Sequence, residues 1–209
     1  ASYTLAAEAL ARLTVPIYYV GGNHDDPALM RAYLDAPVHP SGEAGAPLDY
    51  TFDIGDEHFL VLDAHSYAVP DPLGRLSEVQ LEFARREAQT DGPPLTVLLH
   101  YPLFHMASPW LDANMIVDNG EALHEALLPA RGRLRGVFYG HLHRSCQIAR
   151  NGIAYVCAPS TFSQYAWRPW DEMPQVDHDY PPAYNVVQYF PQQVVVHQYA
   201  FPAQWEGRG

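Results

Sequence analysis

Val15-Pro16-Ile17-Tyr18-Tyr19-Val20-Gly21-Gly22-Asn23-His24-Asp25 is an apolar run that stops on two glycines and then a set of polar side chains. A short apolar run closed by a turn signal predicts a buried strand over Val15–Val20. The same grammar recurs twice. Leu95-Thr96-Val97-Leu98-Leu99 ends at His100, and Arg135-Gly136-Val137-Phe138-Tyr139 ends at Gly140-His141-Leu142-His143. Ligands of open α/β sheets bind beyond the carboxyl ends of the strands, so Asn23, His24, His100, His141 and His143 are expected to converge. Imidazole nitrogens and an amide oxygen are divalent-metal ligands. On an extended segment the i, i+2 spacing would turn His141 and His143 to one side. One histidine alone is usually a packing or surface residue, but three strand ends with the same chemistry favour a site.

Outward from these ends, the remaining elements alternate. An amphipathic helix is expected over residues 3–13, and Asp26 caps a second helix with Pro27 at its first position. Residues 35–49 read as loop, and Tyr50–Ile54 with His58–Leu62 as a hairpin around Gly55. Ser77 and Gln80 form a capping box for a helix running from 78 to about 89. Residues 101–118 read as a long loop and Gly120–Leu128 as a helix. Asn151-Gly152 closes a two-residue hairpin that places Cys146 opposite Cys157. That spacing is within disulfide range, although two reduced thiols on a core strand are the commoner case. A Pro- and aromatic-rich stretch, 158–184, precedes two last strands near 184–190 and 193–200. No linker divides the 209 residues, so a single layered α/β domain spanning 1–209 is expected.

Composition excludes several alternatives. Hydrophobic residues make up 48% of the chain, too many for a disordered polymer, and no apolar run approaches a membrane span. The formal charge is −12, and all twelve basic residues are Arg. Without Lys there is no P-loop lysine and no Schiff base, and an acidic surface makes a nucleic-acid polymer a poor partner. The start, Ala-Ser-Tyr-Thr, lacks a basic segment followed by an apolar one and is no signal peptide. A cytoplasmic location is expected, with no membrane partner.

Gly22-Asn23-His24-Asp25, His100 in Leu98-Leu99-His100-Tyr101-Pro102, and Gly140-His141-Leu142-His143 together resemble the calcineurin-like metallophosphoesterases in order and spacing. Further echoes point to their class III cyclic-nucleotide phosphodiesterase branch. These are Leu62-Asp63, Gly74-x-Leu76-x-x-x-Gln80-Leu81, Arg144, Ala158-Pro159-Ser160-Thr161 and Pro181-Pro182-Ala183-Tyr184. The resemblance implies a layered metallophosphoesterase-type β-sandwich flanked by helices. It implies hydrolysis of small phosphodiesters, 3′,5′-cyclic nucleotides first, by a hydroxide bridging two divalent metals (Mn, Fe or Zn). Asn23, His100 and His141 would hold one metal and His143 the other, while His24 would serve the leaving oxygen. His105, Met106, Asp112 and Asn119 fall where the family lines its substrate pocket. Tyr165, Trp167 and Trp170 are expected to serve packing or an interface.

The family also carries Asp-x-His and Gly-Asp-x-x-Asp ahead of Gly-Asn-His-Asp, and residues 1–21 contain neither. Asp63-Ala64-His65 and Gly55-Asp56 imitate parts of them but lie after Asn23. The expectation is therefore an amino-terminal βα part missing from this chain, at least ~30 residues. Every ligand left is neutral, so the chain alone is expected to hold one metal or none and to be a weak or dead catalyst. A homodimer or a retained amino-terminal fragment would then cover Val15–Val20. The competing readings are a non-catalytic interaction module, or a glycerophosphodiesterase or phosphomonoesterase of the same fold.

Overall fold

The structure is a computed structural model and describes residues 2–39, 43, 45–89 and 91–202. Residues 40–42 and 44 of the expected 35–49 loop lie outside it. Helix α1 (Ser2–Leu10) rests on α2 (Pro27–Leu34), where the Tyr3 hydroxyl accepts from Asp26 N (2.7 Å) and donates to Asp25 Oδ1 (3.2 Å). Asp26 caps α2 as expected, its Oδ1 accepting from Ala28 N (2.8 Å) and Leu29 N (3.1 Å). α3 (Glu78–Gln89) opens on the reciprocal Ser77–Gln80 pair: Ser77 N donates to Gln80 Oε1 (2.8 Å), and Gln80 N to Ser77 Oγ (3.3 Å).

A six-stranded mixed sheet carries the core. Its strands are β1 (Tyr50–Ile54), β2 (Glu57–Leu62), β3 (Leu95–Leu99), β4 (Leu134–Tyr139), β5 (Cys146–Arg150) and β6 (Ile153–Cys157), in spatial order β1-β2-β3-β4-β6-β5. β2, β3, β4 and β6 run parallel, and the outer hairpin partners are antiparallel. Register puts Leu60, Val97, Val137 and Tyr155 side by side on one face, all fully buried. Against that face pack Leu81, Ala84 and Ala88 of α3 and Leu123, Ala126 and Leu127 of α5 (Gly120–Leu127). The alternate residues face the other way, where Phe59 meets Tyr189 edge-on and Thr96 Oγ1 bonds Tyr189 Oη at 3.3 Å. Tyr189 belongs to the hairpin β9 (Ala183–Phe190) and β10 (Gln193–Ala200). The layering is thus helices, sheet, ribbon. The Asn151-Gly152 turn forms as read, both residues having positive φ (51° and 79°), with Arg150 opposite Ile153 and Cys146 opposite Cys157.

Three expectations need correction. Val15–Val20 is not a buried strand: it joins no ladder among the described residues, and Val15 and Tyr18 are 62% and 39% exposed. Tyr18 instead stacks on Phe52 at 3.6 Å, and Tyr19 N and O both bond the Tyr50 hydroxyl at 2.8 Å, so the run lies against β1 without pairing with its backbone. An apolar run becomes a strand only where a neighbour accepts its backbone bonds. Second, residues 101–118 contain a short helix, α4 (Pro109–Asn114), introduced by Ser108 and Pro109. Third, the 158–184 stretch contains a ribbon of β7 (Gln164–Ala166) and β8 (Gln175–Asp177).

Candidate metal centre

Parallel β3 and β4 deliver His100 and Gly140 to the same edge, and Gly140 N donates to the His100 carbonyl at 3.0 Å. The loop bearing Asn23 comes close because Gly22 has no side chain. A Cβ there would lie 3.0 Å from His100 Cδ2 and Nε2. Asp25 holds the loop in a tight turn, its N donating to Gly22 O (3.0 Å) and its Oδ2 accepting from Gly22 N (3.0 Å).

Four of the expected residues form a chain of contacts. Asn23 Oδ1 is 3.3 Å from His100 Nε2, which is 3.0 Å from His141 Nδ1; Asn23 Nδ2 is 3.4 Å from His24 Nε2. His141 Nε2 is 3.2 Å from the Pro72 carbonyl, which can only accept, so the proton sits on Nε2 and Nδ1 offers its lone pair. His143 stands beyond them, Nδ1 at 3.3 Å from Ser163 Oγ and its ring stacked on Tyr165. The extended geometry expected for His141 and His143 is wrong. Both have left-handed φ, 67° and 49°, and a turn presents them. Such backbone strain in non-glycine residues is typical of functional sites.

Burial pushes the His100 imidazole down to about 4, helped by the neighbouring His143 and His24. Burial likewise takes His141 to about 3, with His100 as the next cause, and lowers His143. All three are neutral at pH 7, the form that ligates a metal. Two neutral nitrogens and an amide oxygen at 3.0–3.3 Å spacings fit one ion, because tetrahedral bonds of ~2.1 Å give ligand separations of about 3.4 Å. Among the described residues, no group of three or more His, Cys, Asp or Glu side chains is placed to hold a metal ion.

The cluster forms the floor of a cleft of 340 Å³, within the range of small-molecule sites. Asp71, Pro72, Trp110, Met115, Tyr165, Met173 and Pro174 complete its wall. None of these carries a motif, and only the fold brings them to His100. Asp71 is a carboxylate at the cleft that sequence reasoning missed. Of the loop residues expected to line the pocket, His105, Met106, Asp112 and Asn119 do not. Asn119 instead clamps Leu76 through both backbone groups (3.0 and 2.8 Å), and Asp112 Oδ1 caps Met106 N. Asp63 and His65 also stay out of the cleft, the Asp63 carboxylate accepting from Leu48 N and His65 N.

Residues 2–145 match the calcineurin-like phosphoesterase family. Among curated proteins, the chain is 32% identical over 170 residues to the 3′,5′-cyclic adenosine monophosphate phosphodiesterase CpdA of Escherichia coli (strain K12), covering 79% of this chain and 57% of that protein. It is 30% identical over 166 residues to the CpdA of Haemophilus influenzae, covering 78% and 56%. The chain therefore spans little more than half the length of these relatives. Among solved structures, a dimetal phosphatase from Danio rerio superposes with a TM-score of 0.57 at 17% identity, over 73% of this chain and 63% of that one, a likeness of fold alone.

Proposed function

The chain belongs to the calcineurin-like phosphoesterase family, and from that premise we propose that residues 1–209 belong to the catalytic domain of a cytoplasmic phosphodiesterase acting on 3′,5′-cyclic nucleotides. Family membership implies divalent metal ions. Asn23, His100 and His141 would hold one and His143 contribute to a second; bound there, a divalent ion would supply positive charge against the phosphoryl oxygens and acidify water. The observation that carries the reading is the contact series Asn23 Oδ1, His100 Nε2, His141 Nδ1 at 3.3 and 3.0 Å on the floor of the cleft.

The side chains divide the remaining work. His24, next to Asn23 and at the cleft wall, delivers a proton to the leaving 3′ oxygen. The Pro72 carbonyl fixes the His141 tautomer so that its lone pair faces the site. Trp110, Met115 and Met173 offer apolar surface to a base, and the site binds a small phosphodiester in preference to a polymer.

The ligands found are all neutral, so this stretch by itself turns over slowly or not at all. A panel of cyclic AMP, a glycerophosphodiester and a phosphomonoester, assayed with Mn²⁺ or Zn²⁺, tests the reading. With the family's upstream segment joined to the chain, hydrolysis of cyclic AMP to the 5′ monophosphate, lowered about 10²–10⁴-fold in His24→Ala, is expected. Preference for either other ester would transfer the chain to that substrate. Cyclic AMP binding with no hydrolysis, even when the family's upstream segment is joined to the chain, would favour a non-catalytic module.

A further inference from the structure

We propose that Cys146 and Cys157 form a reversible dithiol–disulfide site at the foot of the His141–His143 loop. The first support is register. The two cysteines are directly opposed on antiparallel β5 and β6, so their side chains leave the same face of the sheet. Counted from the two-residue turn they form a hydrogen-bonded pair. Its Cα separation of about 5.5 Å falls inside the ~4.4–6.8 Å that a disulfide spans. Both thiols are free in this structure.

The second support is asymmetry. Cys146 is partly exposed, with its Sγ 3.4 Å from Tyr139 Oη and 3.8 Å from Met106 Sδ. The Cys157 thiol beside it is the main influence lowering the Cys146 thiol to about 7. Burial pushes Cys157 well up, and its Sγ donates to the Gly140 carbonyl at 3.2 Å. Cys146 is thus the more exposed and more acidic thiol and Cys157 the protected one, the division of labour between an attacking and a resolving cysteine.

The chemistry needs a small-molecule disulfide such as glutathione disulfide. The Cys146 thiolate attacks one sulfur of the disulfide, whose S–S bond breaks, and the departing thiolate takes up a proton. Cys157, losing its proton to solvent, attacks Cys146 Sγ in the mixed disulfide and expels the second glutathione thiol. The net change is two protein thiols oxidised to one disulfide and one glutathione disulfide reduced to two thiols. The bond ties the edge strand β5 to β6 and removes the S–H donor from Gly140 O, one residue before His141. This proposal is independent of the reading as a phosphodiesterase.

The test equilibrates the folded chain with glutathione redox buffers, then alkylates, digests and weighs it. Two alkylated thiols are expected under reducing buffer. After glutathione disulfide none are expected, with one peptide linkage between 146 and 157 that dithiothreitol reverses. Cys157→Ser should trap glutathione on Cys146, while Cys146→Ser should leave Cys157 unmodified. Two thiols still alkylated after oxidation, bridging only in denaturant, bridging between chains, or equal modification of both single variants would overturn the proposal. The wild-type peptide map decides the matter even if a variant fails to fold.

Discussion

Gly22 shows how one missing Cβ shapes the centre. Added carbon would press on His100 at 3.0 Å, and the ring would have to give by a few tenths of an ångström. Gly22→Ala is expected to cost about 10–100-fold in Zn²⁺ affinity, as loss of ligand orientation does elsewhere, with the melting temperature nearly unchanged. Unchanged affinity would show that the His100 ring is not held by this contact. Asp49 tests electrostatics away from the site. Burial, opposed by hydrogen bonds from Asp63 N and Gln80 Nε2, pushes its carboxyl up to about 6. A raised carboxyl binds its proton more tightly in the folded chain than in the unfolded one, so its contribution is full at low pH and is lost as pH rises from about 4 to 6. Asp49→Asn keeps the Oδ1 acceptor and removes the charge. It should gain stability relative to wild type over that window, by about 3 kcal/mol for a shift of about two units, as read from urea midpoints at pH 4 and pH 7. A constant difference between the two proteins would contradict this.

At the scale of elements, Val15–Val20 is the informative failure. Its backbone has no ladder among the described residues, so its amides should exchange with solvent far faster than those of Val97 and its neighbours in β3, the buried central strand Leu95–Leu99. Protection equal to β3 would mean that the run is paired in solution. Elements set by local chemistry were legible in the sequence: the Asp26 cap, the Ser77–Gln80 box and the Asn151-Gly152 turn. Those that depend on partners were not. Hydrophobicity marks Val15–Val20 as fit for a strand but says nothing of whether a neighbour is there to pair with it. The left-handed turn at His141 and His143 likewise has no residue signal, since neither is glycine.

For the whole molecule, the site was legible because three segments share one chemistry, and its wall was not, because Asp71, Trp110, Tyr165 and Met173 come from four separate segments. The membrane reading is narrower: no helix among the described residues is long and apolar enough to cross a bilayer. The −12 charge predicts negligible binding to a labelled oligonucleotide at physiological salt, and salt-sensitive micromolar binding would contradict the exclusion of a nucleic-acid polymer as partner. The central claim is that Asn23, His100 and His141 are a divalent-metal site. Competition titration of Zn²⁺ against a chromogenic chelator, on the wild-type chain and on His100→Ala, tests it most directly. About one tightly bound equivalent in the wild type, weakened by about 100-fold or more in the variant, is the expected result for a three-ligand site. No binding by the wild type, or the same affinity in both proteins, would contradict it.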